Sequence, residues 1–193
     1  SLLDAKSLAS NLGIDYRVIE IEPVVQSFLK ATTLSGVAEE NVQARVRGSL
    51  LMGLSNQEGH LILATGNKSE LAVGYSTLYG DAVGGFAPIK DIFKVDVWRL
   101  ARWRNGLAKT RGEAEPIPVS SIEKEPSAEL RPGQKDSDSL PPYPILDQLL
   151  DIYVEKNGDA AEIIKAGFDK SLVDRAISMV DRAEYKRRQY PPG

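Results

Sequence analysis

The residues best equipped for chemistry fall into three stretches. In the first, the apolar run His60-Leu-Ile-Leu-Ala64 leads into Thr65-Gly-Asn-Lys-Ser-Glu70. Ligands of open α/β sheets bind beyond the carboxyl ends of strands, so a hydroxyl at Thr65 and a carboxylate at Glu70, across a strand-to-helix turn, could face one ligand. Asn67 and Glu70 also have capping-box spacing, in which Glu70 would only hold the helix start. Gly66-Asn-Lys-Ser69 imitates the end of a phosphate-binding loop, but the earlier glycine is missing and the Gly-Lys pair is interrupted. In the second stretch Asn41 and Arg45 are four apart on one helix face, with Gly48 beyond them leaving room for close approach. The Arg45 fork suits a phosphate or carboxylate, or equally a surface ion pair with Glu39 or Glu40. The third stretch, Gly74-Tyr-Ser-Thr-Leu-Tyr-Gly-Asp-Ala-Val-Gly-Gly85, mixes glycines, hydroxyls and one acid, a composition whose backbone amides can cradle anions or simply make a tight turn. Lys94 and Lys186-Arg-Arg188 add positive charge.

Other chemistries are excluded. The 193 residues contain no cysteine and one histidine, His60, which removes disulfides, thiolate zinc sites, cysteine nucleophiles and paired-histidine metal sites. His60, at the start of an apolar run, reads as structural. A formal charge of −3 offers no global field for a polyphosphate backbone, which argues against nucleic acid as a partner. No apolar run reaches the ~18 residues of a membrane span and no basic, apolar leader opens the chain, so a cytoplasmic, membrane-free protein is expected.

The elements that must position these groups alternate. Apolar spacing predicts helices over 3–12, 22–29 and 39–58, the last with Val42, Val46, Leu50 and Leu54 as its buried stripe. Tyr16-Arg-Val-Ile-Glu-Ile21 and residues 60–65 read as strands, the second apolar throughout, as befits an inner strand of a parallel sheet. A helix is expected after Asn67, another over 95–104, and three short ones over 145–154, 160–165 and 171–182. Between them, residues 106–142 lack sustained periodicity, and seven of the eleven prolines lie between Pro116 and Pro144. A loop of that length is commonly functional. The fold class expected is therefore α/β, a parallel sheet with helices on both faces, in one domain spanning 1–193.

Taken in order, several segments resemble the synthetase domain of the glutamine-dependent NAD synthetase family. They are Glu40-Asn-Val-Gln-Ala-Arg-Val-Arg-Gly48, Ala64-Thr-Gly-Asn-Lys-Ser-Glu-Leu-Ala-Val-Gly-Tyr-Ser-Thr-Leu-Tyr-Gly-Asp81, Gly84-Gly-Phe-Ala-Pro-Ile-Lys90, Pro126-Ser-Ala-Glu-Leu-Arg-Pro132, Asp136-Ser-Asp-Ser-Leu-Pro-Pro-Tyr143 and Tyr185-Lys-Arg-Arg-Gln189. The resemblance implies an adenine nucleotide α-hydrolase-like fold and a reaction in which ATP adenylates the nicotinate carboxylate of deamido-NAD and ammonia then displaces AMP. It further implies ATP contacts at Thr65, Lys94 and Ser127, deamido-NAD contacts at Asn41, Arg45, Glu70 and Lys186, and magnesium on Glu70. Carboxylate oxygen suits a hard divalent ion, and lysine suits a departing pyrophosphate. Residues 106–142 would then order over the acyl-adenylate and exclude water. A homo-oligomer with the 39–58 helix at its two-fold interface is implied too, as is a glutaminase domain elsewhere on the parent polypeptide.

Two features of the family are not in this sequence: the Ser-Gly-Gly-x-Asp-Ser pyrophosphate loop and the cysteine-dependent glutaminase domain. The expectation is a synthetase domain incomplete at its N-terminal side, inactive by itself. The alternatives are a related ATP pyrophosphatase, of the GMP or asparagine synthetase kind, and a non-catalytic oligomerisation remnant. The isolated chain is expected to make no NAD from ATP, magnesium, deamido-NAD and ammonia, and a coupled assay that detects turnover would contradict this.

Overall fold

The computed structural model describes all 193 residues, and their order is overwhelmingly helical. The helices are α1 (Leu2–Leu12), α2 (Glu22–Ala31), α3 (Val37–Glu58), α4 (Lys68–Val73), α5 (Lys94–Thr110), α6 (Val119–Glu123), α7 (Tyr143–Leu150), α8 (Ala160–Lys165), α9 (Lys170–Arg182) and α10 (Glu184–Arg187). A 3-10 turn covers Asp136–Asp138, and α7 runs on through a π-helical turn, Asp151–Glu155. Several ends are set by local chemistry. Gly13, Gly59 and Gly74 close α1, α3 and α4 in the left-handed conformation, and Asn67 and Asp159 open α4 and α8 with complete capping boxes.

Two separate cores follow. The larger joins Ala72 and Val73 of α4, Leu146, Leu149 and Leu150 of α7, Ile163 of α8 and Val173, Ala176 and Val180 of α9. The smaller joins Val25 of α2 to Val42 and Val46 of α3, with Leu50 beside them, so the expected α3 stripe is used. A second side of α3 is buried as well, through Ala44 and Gly48. There the helix meets the backbone of the 74–85 loop. A Cβ added to Gly48 would lie 2.8 Å from the Tyr79 carbonyl oxygen, and one added to Gly80 would lie 2.8 Å from the Ala44 Cβ. Gly80 is seated against Ala44, and Gly48, one turn on, lies under the Tyr79 and Gly80 carbonyls, so neither position leaves room for a side chain of its own.

The expected parallel sheet is not formed. Residues 60–65 make a single parallel bridge, Leu63 to Phe86, through the Ala64 amide to the Phe86 carbonyl and the Gly85 amide to the Ile62 carbonyl, both 2.9 Å. The expected strand 16–21 is extended chain without ladder bonds. The physical reason is that a strand exists only by pairing: the backbone groups of 60–65 find one short neighbour, and those of 16–21 find none. Leu61, Leu63 and Val18 are accordingly exposed. The folded surface is 11820 Å², against roughly 9,000 Å² expected for a chain of this mass. In the 106–142 region, α5 extends to Thr110 and α6 and the 3-10 turn interrupt what the sequence presents as featureless. No helix is long and apolar enough to cross a membrane.

Replacing Gly48 by Ala should push the 74–85 loop off α3 and lower stability by about 1–3 kcal/mol, the usual cost of overpacking. Urea unfolding followed by circular dichroism checks this.

Candidate functional site

The site is assembled around the start of α5. Phe93 occupies the cap position of that helix and provides no side-chain cap. The task passes to two other helices. The Lys94 amide donates to the Ser69 hydroxyl at 2.8 Å, and the Val95 amide donates to one oxygen of Asp147 at 2.9 Å. The Ser69 hydroxyl in turn donates to the other Asp147 oxygen at 2.5 Å. Ser69 and Asp147 are both buried, so α4, α5 and α7 are joined by one cluster of hydrogen bonds in a dry setting. Burial raises the Asp147 carboxyl above its ordinary value, and the bonds from Ser69 and Val95 oppose that rise.

This junction places Lys94 against Glu70. The Lys94 ammonium donates to Glu70 Oε1 at 2.9 Å, with each side chain only 19% exposed. Its charge also lies 5.4 Å from the centre of the Tyr143 ring. Glu70 has the capping role that its spacing offered: its amide donates to Asn67 Oδ1 at 3.1 Å, while Oε2 accepts from the Asn67 amide at 3.4 Å. The two readings of Glu70 are compatible because its two oxygens face different partners.

The glycine-rich loop is braced from both ends of the chain. The Thr77 hydroxyl donates to Asn41 Oδ1 of α3 at 2.7 Å, and the Thr77 amide donates to Asp81 at 2.7 Å. Lys186 of α10 donates to the carbonyls of Gly74 and Ser76 at 2.7 and 2.6 Å. Burial lowers the Lys186 ammonium, and the Asp81 charge partly restores it. Burial likewise raises the Asp81 carboxyl, against the bond from the Thr77 amide.

Between these elements and residues 121–139 lies a cavity of about 690 Å³. Asn41, Glu70, Lys94, Ser127 and Lys186 all line it. Thr65 and Arg45 do not: Thr65 is exposed beyond the turn, and Arg45 is exposed with its Nε donating to the Leu78 carbonyl at 3.2 Å. Ser127 Oγ accepts from the Glu129 amide at 3.0 Å. His60 sits at the surface beside Glu58, at 3.5 Å. Sequence reasoning singled out neither Ser69 and Asp147, which anchor α5, nor Asp136 and Asp81, which line the cavity. Asp81 is the one acid of the glycine-rich stretch, whereas Asp136 was pointed to only by falling inside a stretch quoted for the family resemblance.

The charge of the wall bears on what it can hold. Seven carboxylate side chains face the cavity against four basic ones, so a bare polyanion meets net repulsion. Magnesium keeps most of its waters and is typically bound by one or two carboxylates together with substrate phosphates. Glu70 fits that mode: Oε1 engages only the Lys94 ammonium, a group that can turn to phosphate once a divalent ion takes its place. No three acidic or imidazole groups gather closely enough to form a metal cage of their own.

The solved structures that this chain resembles include synthetases of NMN and NAD+. An NMN synthetase from Francisella tularensis superposes with TM-score 0.78 at 26% identity, over 96% of this chain and 69% of that one. A glutamine-dependent NAD+ synthetase from Acinetobacter baumannii, in complex with ADP, matches with TM-score 0.60 at 44% identity, over 100% of this chain and 34% of that one. The NAD synthase family model covers residues 1–190, and the chain belongs to that family. Glutamine-dependent NAD(+) synthetases of Acinetobacter baylyi and Thermotoga maritima are 52% and 50% identical over 98% of this chain. The chain spans about a third of their length, 35% and 33%.

Asp147→Ala removes a two-fold cap and strands the buried Ser69 hydroxyl, so it should lower stability by about 2 kcal/mol. Because the folded state holds the Asp147 proton more tightly than the unfolded chain does, that carboxyl stabilises the fold most at acid pH. Its contribution falls as pH rises from 3.8 through the raised folded value. The deficit of the variant should therefore be larger near pH 4 than near pH 7, as measured by urea unfolding at both.

Proposed function

We propose that this chain forms the ATP and deamido-NAD site of a glutamine-dependent NAD synthetase. The reaction joins the nicotinate carboxylate of deamido-NAD to the α-phosphate of ATP, releasing pyrophosphate. Ammonia then attacks the acyl-adenylate, AMP leaves, and the carboxylate has become the carboxamide of NAD. The observation that carries this reading is the half-buried Lys94–Glu70 pair in a cavity that also receives Asn41, Ser127 and Lys186. Membership of the NAD synthase family supports it, as does the ADP complex of the A. baumannii relative.

In this reading Lys94 meets the negative charge that gathers on pyrophosphate as it departs, with its helix fixed so that little reorganisation is needed. Magnesium would be held by Glu70 and the substrate phosphates, and it supplies neutralisation of the triphosphate that the acidic wall alone would repel. Asn41 and Lys186 contact the dinucleotide from opposite sides of the glycine-rich loop, and Ser127 contacts ATP from the segment above. A cavity of about 690 Å³ suits one drug-sized ligand. A triphosphate and a dinucleotide together extend beyond it, which leaves Thr65 for ATP and Arg45 for deamido-NAD outside the enclosed part. Ammonia comes from a glutaminase domain within the part of the relatives' length that this chain does not span. The apolar Leu51 and Met52, both exposed on α3, support an association of two copies through that helix.

Calorimetric titration of the chain with ATP should show saturable binding that needs magnesium and is abolished by EDTA. Lys94→Ala should weaken it about tenfold or more, the loss of a charge-assisted contact. No binding at millimolar MgATP, or equal binding of free ATP and MgATP, would sink the reading.

A further inference from the structure

The segment that roofs the cavity, residues 124–142, is anchored at its C-terminal end by the buried Leu140 and elsewhere held by polar contacts, among them Gln43 of α3 to the Leu130 carbonyl at 3.0 Å and Arg175 of α9 to the Ser139 carbonyl at 2.5 Å. Its ion pairs, Lys124 with Glu129, Lys135 with Glu125, and Arg131 with Asp138 and with Glu40 of α3, each have at least one exposed partner, and such pairs contribute little. Within 124–139 one residue is buried, Asp136, at 5% exposure. Its amide donates to the Pro126 carbonyl at 2.9 Å, which closes residues 126–136 into a ring carrying Ser127. Its Oδ2 accepts from the Tyr143 hydroxyl at 2.8 Å, in a buried setting. Its Oδ1 is buried with no hydrogen-bond partner, so the tyrosine supplies the side chain's one hydrogen bond.

Tyr143 also touches the other half of the site. The Lys94 charge lies over its ring, and Trp98 meets it edge-on with centroids 6.0 Å apart. One ring therefore connects the lysine on α5 to the roof through a single hydrogen bond. We propose that Tyr143 and Asp136 are positioning residues, a latch that docks the 124–142 segment on α7 and sets Ser127 across the cavity from Lys94. The proposal rests on the reading of that cavity as an ATP site. Burial, helped by the charges of Glu70 and Asp136, raises the Tyr143 phenol, so it remains a donor throughout the neutral range. Without that donor, Asp136 would be a buried carboxylate left with only the nearby Tyr75 phenol, whose own titration the Asp136 charge raises, and the fuller relief is for the segment to swing into water.

The test uses the whole chain, wild type against Tyr143→Phe, which keeps the ring, and Asp136→Asn, which keeps the shape and removes the charge. Trypsin cleavage after Lys124 and Lys135, resolved by mass spectrometry in the absence of ligand, should accelerate about tenfold in Tyr143→Phe with the global melting transition retained. That factor corresponds to one lost hydrogen bond to a charged group. Asp136→Asn should show a smaller acceleration in the same direction. MgATP affinity should fall about tenfold in Tyr143→Phe but not fall further when the same change is made in Ser127→Ala, because the latch acts through Ser127. Wild-type cleavage rates in both latch variants, or additive losses of affinity with Ser127→Ala, would overturn the proposal. If the wild-type chain binds no MgATP, the ATP reading fails and the cleavage rates alone decide the latch.

Discussion

The arrangement depends on one buried carboxylate. Asp147 of α7 accepts from the Ser69 hydroxyl of α4 and from the Val95 amide of α5, while Ser69 accepts from the Lys94 amide. A helix start leaves orphan amides that must find acceptors. Here the acceptors come from two helices distant in sequence, so capping α5 and docking three helices are the same event. Glu70 follows Ser69, and Lys94 itself donates its amide to Ser69, so the Lys94–Glu70 ion pair is set directly by the junction. An error of register at the junction would separate the charges.

The second constraint is the contact between α3 and the glycine-rich loop. With Gly80 seated against Ala44 and Gly48 under the Tyr79 and Gly80 carbonyls, the loop backbone lies close enough to α3 for Thr77 to reach Asn41, while Lys186 reaches the carbonyls of Gly74 and Ser76. Three parts of the chain thus form one wall, α3 lying 36 residues from the loop it holds and Lys186 lying 112 and 110 residues from the two carbonyls it holds. The cavity lining as a whole is acidic although it carries Lys94 and Lys186.

Much of the site was legible because its signals are local. The Asn67 and Glu70 spacing gave the capping box, the 3.6-residue period of Val42 and Val46 gave the buried stripe of α3, and the glycines at 74–85 marked a shaped loop. Asn41, Glu70, Lys94, Ser127 and Lys186 line a common cavity, whereas Thr65 and Arg45 stand outside it. Residues 60–65 have the composition of an inner strand, yet a ladder needs neighbours, and one bridge to Phe86 is what this chain supplies.

The sequence by itself determined which segments favour helix, which loop is rich in glycine, and which polar groups were candidates, because periodicity and backbone freedom act within a few residues. Only the tertiary structure decided that Ser69 and Asp147 cap α5, that Asp136 meets Tyr143 beneath the roof, and that 16–21 stays unpaired. Each of these depends on which groups become neighbours after burial, and a hydrogen bond across 78 residues leaves no periodic trace in the chain.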